Sequence, residues 1–385
     1  MKSLLAHLLA GHTLSRVQAV EAFTRIMSGQ AGPAQIGALL ALIQARGPTL
    51  DEIVGAATVM RAKLVPVPNP AGLTILDTCG TGGTHSRYFN VSTAAALVVA
   101  AVGRSRGYAV AKHGNRSVTS TSGSSEVLDV LGVKFPVPPA VLSQCLDEAG
   151  FCFCFAPAHH PAMKHAALVR AELGFRTLFN LLGPLANPAG ATRQVLGVYS
   201  PTLTEPMAQV LAQLGTEQAM VVHGRFAPPP ESTPPESTPP EPPSTPTALR
   251  RGLPPEATTS VIGEPGNDAG LGELSLTGPT RITHLKSGQI RTFELHPRDL
   301  GLSCADPAPL YVTDPQASAA LIQQVLQGTP GAARDMVCLN AAAVLIVADL
   351  ATDFTQGLRL AAAALDDGSA QHVLRTVVRL TRQAG

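Results

Sequence analysis

The chain of 385 residues reads as an α/β protein: a mostly parallel sheet flanked by helices, with a smaller all-helical N-terminal domain. Three observations predict this. Residues 1–66 carry helical periodicity throughout. From residue 73 onward, short apolar runs alternate with helical stretches, the signature of repeating βα units covered on both faces. Two stretches rich in glycine and hydroxyl residues follow directly on such runs, at the strand ends where α/β sheets hold ligands.

The elements follow in order. Leu4, Leu5, Leu8 and Leu9 form one apolar stripe; a second helix begins at Ser15 with Val17, Val20, Phe23 and Ile26 on its apolar face and closes at Gly29. Pro33 opens a third helix, and Thr49, followed three residues later by Glu52, is a capping box for a fourth. VPVPNPAG is a proline-rich hinge into the first strand. Thereafter come LTILDT, a helix over 93–102, YAVAKH, a helix over 124–131, another over 139–149, the strand FCFCF, a helix ending near Gly174, the strand QVLGVYS, a helix over 204–214 and the strand AMVVHG. In FCFCF the alternation puts cysteines on one side and phenylalanines on the other. GELSLTGPTRITHL and QIRTFELHP read as two strands joined near 286–288, and the remainder as alanine-rich packing helices over 314–325, 335–350, 354–365 and 369–380. The domain division expected is 1–70, joined by helices near 158–175, and 71–385.

Between 226 and 259 the pattern breaks. Half of residues 228–247 are proline, with ESTPP in tandem, so the segment reads as a disordered, extended insertion that buries no core.

Composition excludes whole classes of function. With 28 basic against 27 acidic side chains the formal net charge is +1, which supplies no bulk field for nucleic acid or an anionic membrane. No apolar run is long enough and flanked suitably to span a bilayer. The six cysteines, Cys79, Cys145, Cys152, Cys154, Cys304 and Cys338, sit in apolar surroundings and read as reduced thiols of a cytoplasmic protein. His159, His160 and His165 read as loop and helix-surface residues with unsuitable spacing for a metal.

Residues 73–93, LTILDTCGTGGTHSRYFNVST, run from a buried strand into a loop whose glycines leave no Cβ in the way. Such a loop turns several N–H groups onto one anion, and the following helix adds its N-terminal dipole. For the glycines alone a tight turn is the competing explanation; Asn90, Ser92 and Thr93 just downstream favour a ligand. It is neither a Walker loop nor a dinucleotide fingerprint, since neither the lysine nor the third glycine is in place. Residues 112–125, KHGNRSVTSTSGSS, pack two cations, a histidine, an amide and many hydroxyls behind YAVA, a donor set suited to a phosphate ester.

These two stretches, together with VRAELGFRTLFNLLGPLANP, resemble the anthranilate phosphoribosyltransferase family, which performs the second step of tryptophan synthesis from chorismate. The resemblance covers the chain except the insertion. It implies transfer of the phosphoribosyl group of 5-phosphoribosyl 1-diphosphate to the amine of anthranilate, with Mg²⁺ as cofactor, in a homodimer whose helical lobe dimerises. It places Gly80, Gly83, Thr84, Asn90, Ser92 and Thr93 at the diphosphate, and Lys112, His113, Gly114, Asn115, Arg116, Ser117, Val118, Thr119, Ser120 and Ser124 around the ribose and its phosphate. Anthranilate would meet Gly80, Asn115 and Arg170, whose guanidinium can fork onto the carboxylate; without the motif, Arg170 would read as a helix arginine paired with a glutamate. His113 either orients the aromatic acid or satisfies a loop carbonyl. Ser92 and Glu273 would hold metal.

Departures from the family pattern fall at acidic positions. Thr84 stands for the aspartate after the loop glycines, His85 and Tyr88 replace a small residue and a threonine, and Gly272 replaces one of the Asp-Glu pair that binds Mg²⁺, with Asp268 nearby as a substitute. The lost carboxylates leave a second class open, a non-catalytic relative that binds nucleic acid; the neutral charge and the intact KHGNRS and VRAELG segments weigh against it. A pyrimidine nucleoside phosphorylase of similar architecture needs a different lysine-serine-threonine loop and ranks last.

Overall fold

The computed structural model describes residues 1–82, 87–115, 122–226, 270–302 and 306–384; the proline-rich insertion expected at 226–259 lies almost wholly outside them. Four helices come first: α1 (Lys2–Leu9), α2 (Arg16–Met27), α3 (Pro33–Arg46) and α4 (Leu50–Ala62). Their starts are chemical. Ser15 with Gln18 and Thr49 with Glu52 form reciprocal capping boxes, and Pro33 occupies the first turn of α3. Glu52 is fully buried yet satisfied: beyond its cap it accepts from the Leu14 N–H at 2.9 Å and from the Arg46 guanidinium.

Two expected apolar stripes are narrower than the sequence suggests. Leu4 and Leu8 are buried but Leu9 is 72% exposed, and in α2 Val17 is 78% exposed while Phe23 and Ile26 are buried. A helix packed on one or two neighbours has only a limited arc covered, and these two side chains lie beyond it.

A single eight-stranded sheet follows, in the order β3-β2-β1-β4-β5-β7-β8 with β6 on β5. Strands β1 (Thr74–Asp77), β2 (Tyr108–Gly114), β3 (Phe151–Phe155), β4 (Arg193–Gly197) and β5 (Gln218–Arg225) are parallel. The final three, β6 (Gly270–Leu271), β7 (Thr280–Lys286) and β8 (Gln289–Leu295), run antiparallel. The two-residue turn between β7 and β8 puts Ser287 and Gly288 at positive φ, 50° and 78°, as a twist-matched hairpin requires. Residues 272–279, expected as part of a strand, are irregular; their backbone bonds go to side chains such as Asn340 and Thr280 instead.

Helices pack on both faces. Alternation along the strands splits the core in two: Val195, Met220 and Val222 join one cluster with α5 (Val91–Gly103), α13 (Ala332–Val347) and the C-terminal helices. Leu196, Ala219 and Val221 join the other, with α11 (Thr204–Gln213) and the N-terminal helices. Helix α9 (Lys164–Leu173) contributes Ala166 and Val169 to this second cluster, packing on α2 and α3. In β3 the sulfurs of Cys152 and Cys154 lie 3.8 Å apart on one side while the Phe153 and Phe155 rings neighbour each other at 6.4 Å on the other. Among the described residues five cysteines are buried and free; Cys304 lies outside them.

Candidate active site at the carboxyl ends of β1 and β2

The site is built on Asp77, the last residue of β1. It is fully buried and surrounded by donors: Oδ1 accepts from the N–H groups of Thr78 (2.7 Å), Cys79 (3.1 Å) and His113 (3.4 Å), and Oδ2 from Asn187 Nδ2 (2.7 Å) and the Cys79 thiol (3.1 Å). Burial pushes its pKa up, and the hydrogen bonds from Asn187 and Cys79 pull it down. One carboxylate thus joins the start of the glycine loop, the end of β2 and the turn at 187. Asn187 spends its second amide hydrogen on the Ala111 carbonyl at 2.7 Å.

Lys112 completes the knot from β2. Its side chain is 1% exposed, and Nζ donates to the Thr78 carbonyl (3.3 Å), Thr78 Oγ1 (3.4 Å) and Ser92 Oγ (3.1 Å). Burial lowers its pKa; Asp77 and Glu273 oppose that. The ammonium therefore supports the loop from beneath instead of projecting into open space, a placement the sequence does not reveal.

Asn90 caps α5 through Oδ1, which accepts from the Thr93 N–H at 3.1 Å and from Thr93 Oγ1, and its Nδ2 donates to the Ser122 carbonyl at 3.3 Å. Ser124 Oγ donates to the same Oδ1 at 3.4 Å, opening α6 (Ser124–Val130). The loops after β1 and β2 thus meet. Thr93 is fully buried, so its hydroxyl serves the cap. Ser92 is half-buried, and Gly80 and Asn115 are exposed. Gly80 bridges to Gly197 of β4, whose carbonyl also accepts from the Thr81 N–H at 2.8 Å. Gly83, Thr84, Arg116, Ser117, Val118, Thr119 and Ser120 lie outside the described residues, as do His85 and Asp268.

Tyr88 is 4% exposed, its ring held between Tyr311 and Phe226 and its hydroxyl 3.5 Å from Thr277 Oγ1. It ties the loop's exit to Thr277.

The histidines depart most from expectation. His159 and His160 are 3% and 5% exposed, not surface residues; only His165 is exposed. The cause is long-range packing. His159 pairs with the hinge through Nδ1 to the Val65 carbonyl (2.8 Å) and through its own carbonyl from the Val65 N–H (2.8 Å). His160 Nε2 lies 3.1 Å from His113 Nε2, and His113 Nδ1 3.1 Å from the Gly183 carbonyl. Burial takes the pKa of His113 down to about 3 and of His160 to about 4. Of the two roles open to His113, satisfying a loop carbonyl is the one seen.

Arg170, in the last turn of α9, is half-buried, and its guanidinium carbon stands 5.3 Å from the ring centroid of Phe179 in α10 (Phe179–Leu182). No carboxylate among the described residues pairs with it, and burial lowers its pKa. The glutamate partner that a plain helix arginine would have is absent among the described residues. Helix α10 leads directly to Gly183, the acceptor of His113, so this cation sits on the element that backs the site.

Glu273 is half-buried with no hydrogen bond or ion pair among the described residues. Burial pushes its carboxyl up to about 7, while Lys112 pulls it down. Ser122 Oγ is buried without a partner among the described residues, beside the Asn90 contact. Sequence reasoning passed over Asp77, Asn187 and Ser122 and read His160 as a surface residue; only the Asp after the apolar run was a usable signal.

Fold and site together define a glycosyl transferase built from a helical bundle and an α/β domain. A family model described as "Glycosyl transferase family, a/b domain" matches residues 72–227 and 260–371, and one described as "Glycosyl transferase family, helical bundle domain" matches 2–64. The gap between the first two stretches falls on the proline-rich insertion. Anthranilate phosphoribosyltransferases of Rhodopseudomonas palustris and Methylorubrum extorquens are 42% and 43% identical over 383 and 380 residues, covering 100% and 99% of this chain and 99% and 98% of theirs. A crystal structure of anthranilate phosphoribosyltransferase from Thermus thermophilus is 33% identical with a TM-score of 0.77, over 98% of this chain and 99% of that one. The enzyme from Saccharomyces cerevisiae in complex with PRPP and Mg shares the fold, at 24% identity and a TM-score of 0.79, over 99% of this chain and 97% of that one. The chain belongs to the anthranilate phosphoribosyltransferase family.

Proposed function

We propose that the chain transfers the phosphoribosyl group of 5-phosphoribosyl 1-diphosphate to the amine of anthranilate. The C1–O bond to diphosphate breaks, the C1–N bond forms, the amine loses a proton, and diphosphate leaves. The observation that carries this assignment is the convergence of two strand-end loops through Asn90 and Lys112, with a half-buried arginine on the neighbouring helix that no carboxylate among the described residues pairs.

Such a transfer needs positioning and charge stabilisation more than covalent help. The N–H groups of the Gly80 loop and the start of α5 would face the diphosphate, and Lys112 would hold that loop and lend it positive potential from below. Asn115, Ser124 and residues 116–120 would take the ribose and its phosphate. Arg170 would fork onto the anthranilate carboxylate, already stripped of much of its water and oriented by Phe179, with Asn115 and Gly80 at the amine end.

Mg²⁺ fits the donors present, on terms this chain sets. Glu273 offers an oxygen ligand that has no other partner among the described residues, and Ser92 Oγ keeps a lone pair beyond its bond from Lys112. Among the described residues no group of three His, Cys, Asp or Glu forms a metal cage, so substrate phosphates would complete the coordination. When bound, the ion neutralises charge on the departing diphosphate.

We further assign the helical lobe to 1–70 with 158–175, and a homodimer formed through it. Leu9, Val17 and Leu168 support this, being 72%, 78% and 65% exposed on α1, α2 and α9; sedimentation that finds a monomer would remove it. Buried free thiols support a cytoplasmic location. A nucleic-acid-binding relative lacks the charge it needs, at +1. The test is to mix protein, phosphoribosyl diphosphate, Mg²⁺ and anthranilate and follow anthranilate fluorescence. A decay is expected, and a flat trace at saturating metal refutes the assignment.

A further inference from the structure

We propose that Asn340 is a positioning residue for the carboxylate of Glu273, an inference that rests on Glu273 serving as the metal ligand. Asn340 lies in α13, where every residue from Met336 to Val347 is buried and, Asn340 apart, apolar. A primary amide there is unfavourable unless all its hydrogen bonds are made. They are made, and chiefly to one residue. Oδ1 accepts from the Leu274 N–H at 2.9 Å, while Nδ2 donates to the Leu274 carbonyl at 3.0 Å and to the Met336 carbonyl at 2.9 Å.

The Leu274 N–H belongs to the peptide that joins it to Glu273. Holding that N–H and the next carbonyl together sets the plane of the peptide leaving Glu273, as a neighbouring strand would, in a segment that has no such strand. The opposite side is closed too. A Cβ at Gly197 would run into the Gly272 carbonyl, and one at Gly224 into the Glu273 carbonyl. Residues 272–274 are therefore pressed between the ends of β4 and β5 and the side of α13. With its backbone clamped, Glu273 keeps only side-chain freedom, on the side of the site where the Lys112 ammonium supports the loop after β1. With a single carboxylate left at this position, the aim of that one carries more of the metal affinity than it would in a pair.

The test measures binding, by calorimetry of phosphoribosyl diphosphate with and without Mg²⁺, on wild type, Glu273→Gln, Asn340→Asp and the double variant. Asn340→Asp turns the donor toward Leu274 into a second acceptor. Should it fail to fold, Asn340→Ser removes the grip without setting a charge against the Leu274 carbonyl and carries the same comparison. The expected result is metal-free binding within about twofold of wild type, with half-saturating Mg²⁺ raised roughly 10- to 100-fold, the usual effect of losing an outer partner of a ligand. Combining Asn340→Ser with Glu273→Gln should add little beyond either alone, because both act through one carboxylate. Equal loss of metal-free and metal-dependent binding, additive effects, or unfolding of both Asn340 variants would reduce Asn340 to a stability role and overturn the proposal. If Glu273→Gln itself leaves the Mg²⁺ dependence untouched, the ligand assignment fails and the proposal falls with it. If only Asn340→Ser leaves it untouched, the ligand assignment stands and the positioning role alone falls.

Discussion

Asp77→Asn isolates the joint between the loop after β1, the end of β2 and the turn at 187. The side chain keeps its shape, but one oxygen becomes an NH₂. If that group faces the Oδ2 side, it confronts Asn187 Nδ2, now 2.7 Å from its acceptor, and offers the Cys79 thiol nothing. Rotated the other way, it confronts the N–H groups of Thr78, Cys79 and His113. Either orientation strands at least one strong buried donor, at about 1–3 kcal/mol per group, and Lys112 loses its nearest buried counter-charge. A total of roughly 2–5 kcal/mol follows. Urea denaturation monitored by circular dichroism measures it, alongside kcat/KM for phosphoribosyl diphosphate, which should fall because either orientation loosens the joint that holds the loop. A stability loss below about 0.5 kcal/mol, the size of an ordinary surface substitution, together with unchanged kcat/KM, would refute the reasoning.

Other expectations are equally direct. Arg170→Ala should raise KM for anthranilate roughly tenfold or more, the value of a charge-assisted bond, with little change in KM for phosphoribosyl diphosphate or in stability; a shift in the second KM instead would relocate Arg170. The His113–His160 pair should make the fold acid-sensitive. Above pH 6.5 both rings are neutral whether folded or not; below it the unfolded chain binds protons that the folded pair, at about 3 and about 4, refuses. Each ring then costs about 2 kcal/mol by pH 5, so denaturation midpoints should drop between pH 6.5 and 5, and His160→Gln should flatten the drop. Gly272→Asp returns a carboxylate at a residue without left-handed φ, and should lower the half-saturating Mg²⁺ several-fold in the fluorescence assay.

Much of this protein is legible locally. Caps, hinge prolines, the FCFCF alternation and the two polar loops are signals written within a few residues of where they act, and they place the two polar loops at the carboxyl ends of β1 and β2. What stays hidden depends on pairs far apart in sequence. Asp77 and Asn187 find each other only once β1, β2 and β4 are assembled, so neither stands out in isolation. His159 and His160 read as surface residues because nothing in HHPAMK announces that the hinge at 65–67 and the turn at 183–187 will close over them. Lys112 is legible as a cation near phosphate, but its depth is not: burial is set by Thr78 and Ser92 arriving from the neighbouring strand and helix. Asn340 is read locally as one polar residue in an apolar helix, and its partner at Leu274 lies 66 positions earlier in the chain.

The paired stub formed by Gly224 with Leu271 and Arg225 with Gly270 has an evolutionary corollary. Because the chain leaves the sheet and re-enters it at adjacent backbone positions, the ends of whatever lies between are already brought together by strand pairing. Extra length there then costs little, about 0.6 kcal/mol for each doubling. The connection between Arg225 and Gly270 is thus a place where the gene can change length at little cost to the sheet, and where a tag or a whole folded module could be spliced in.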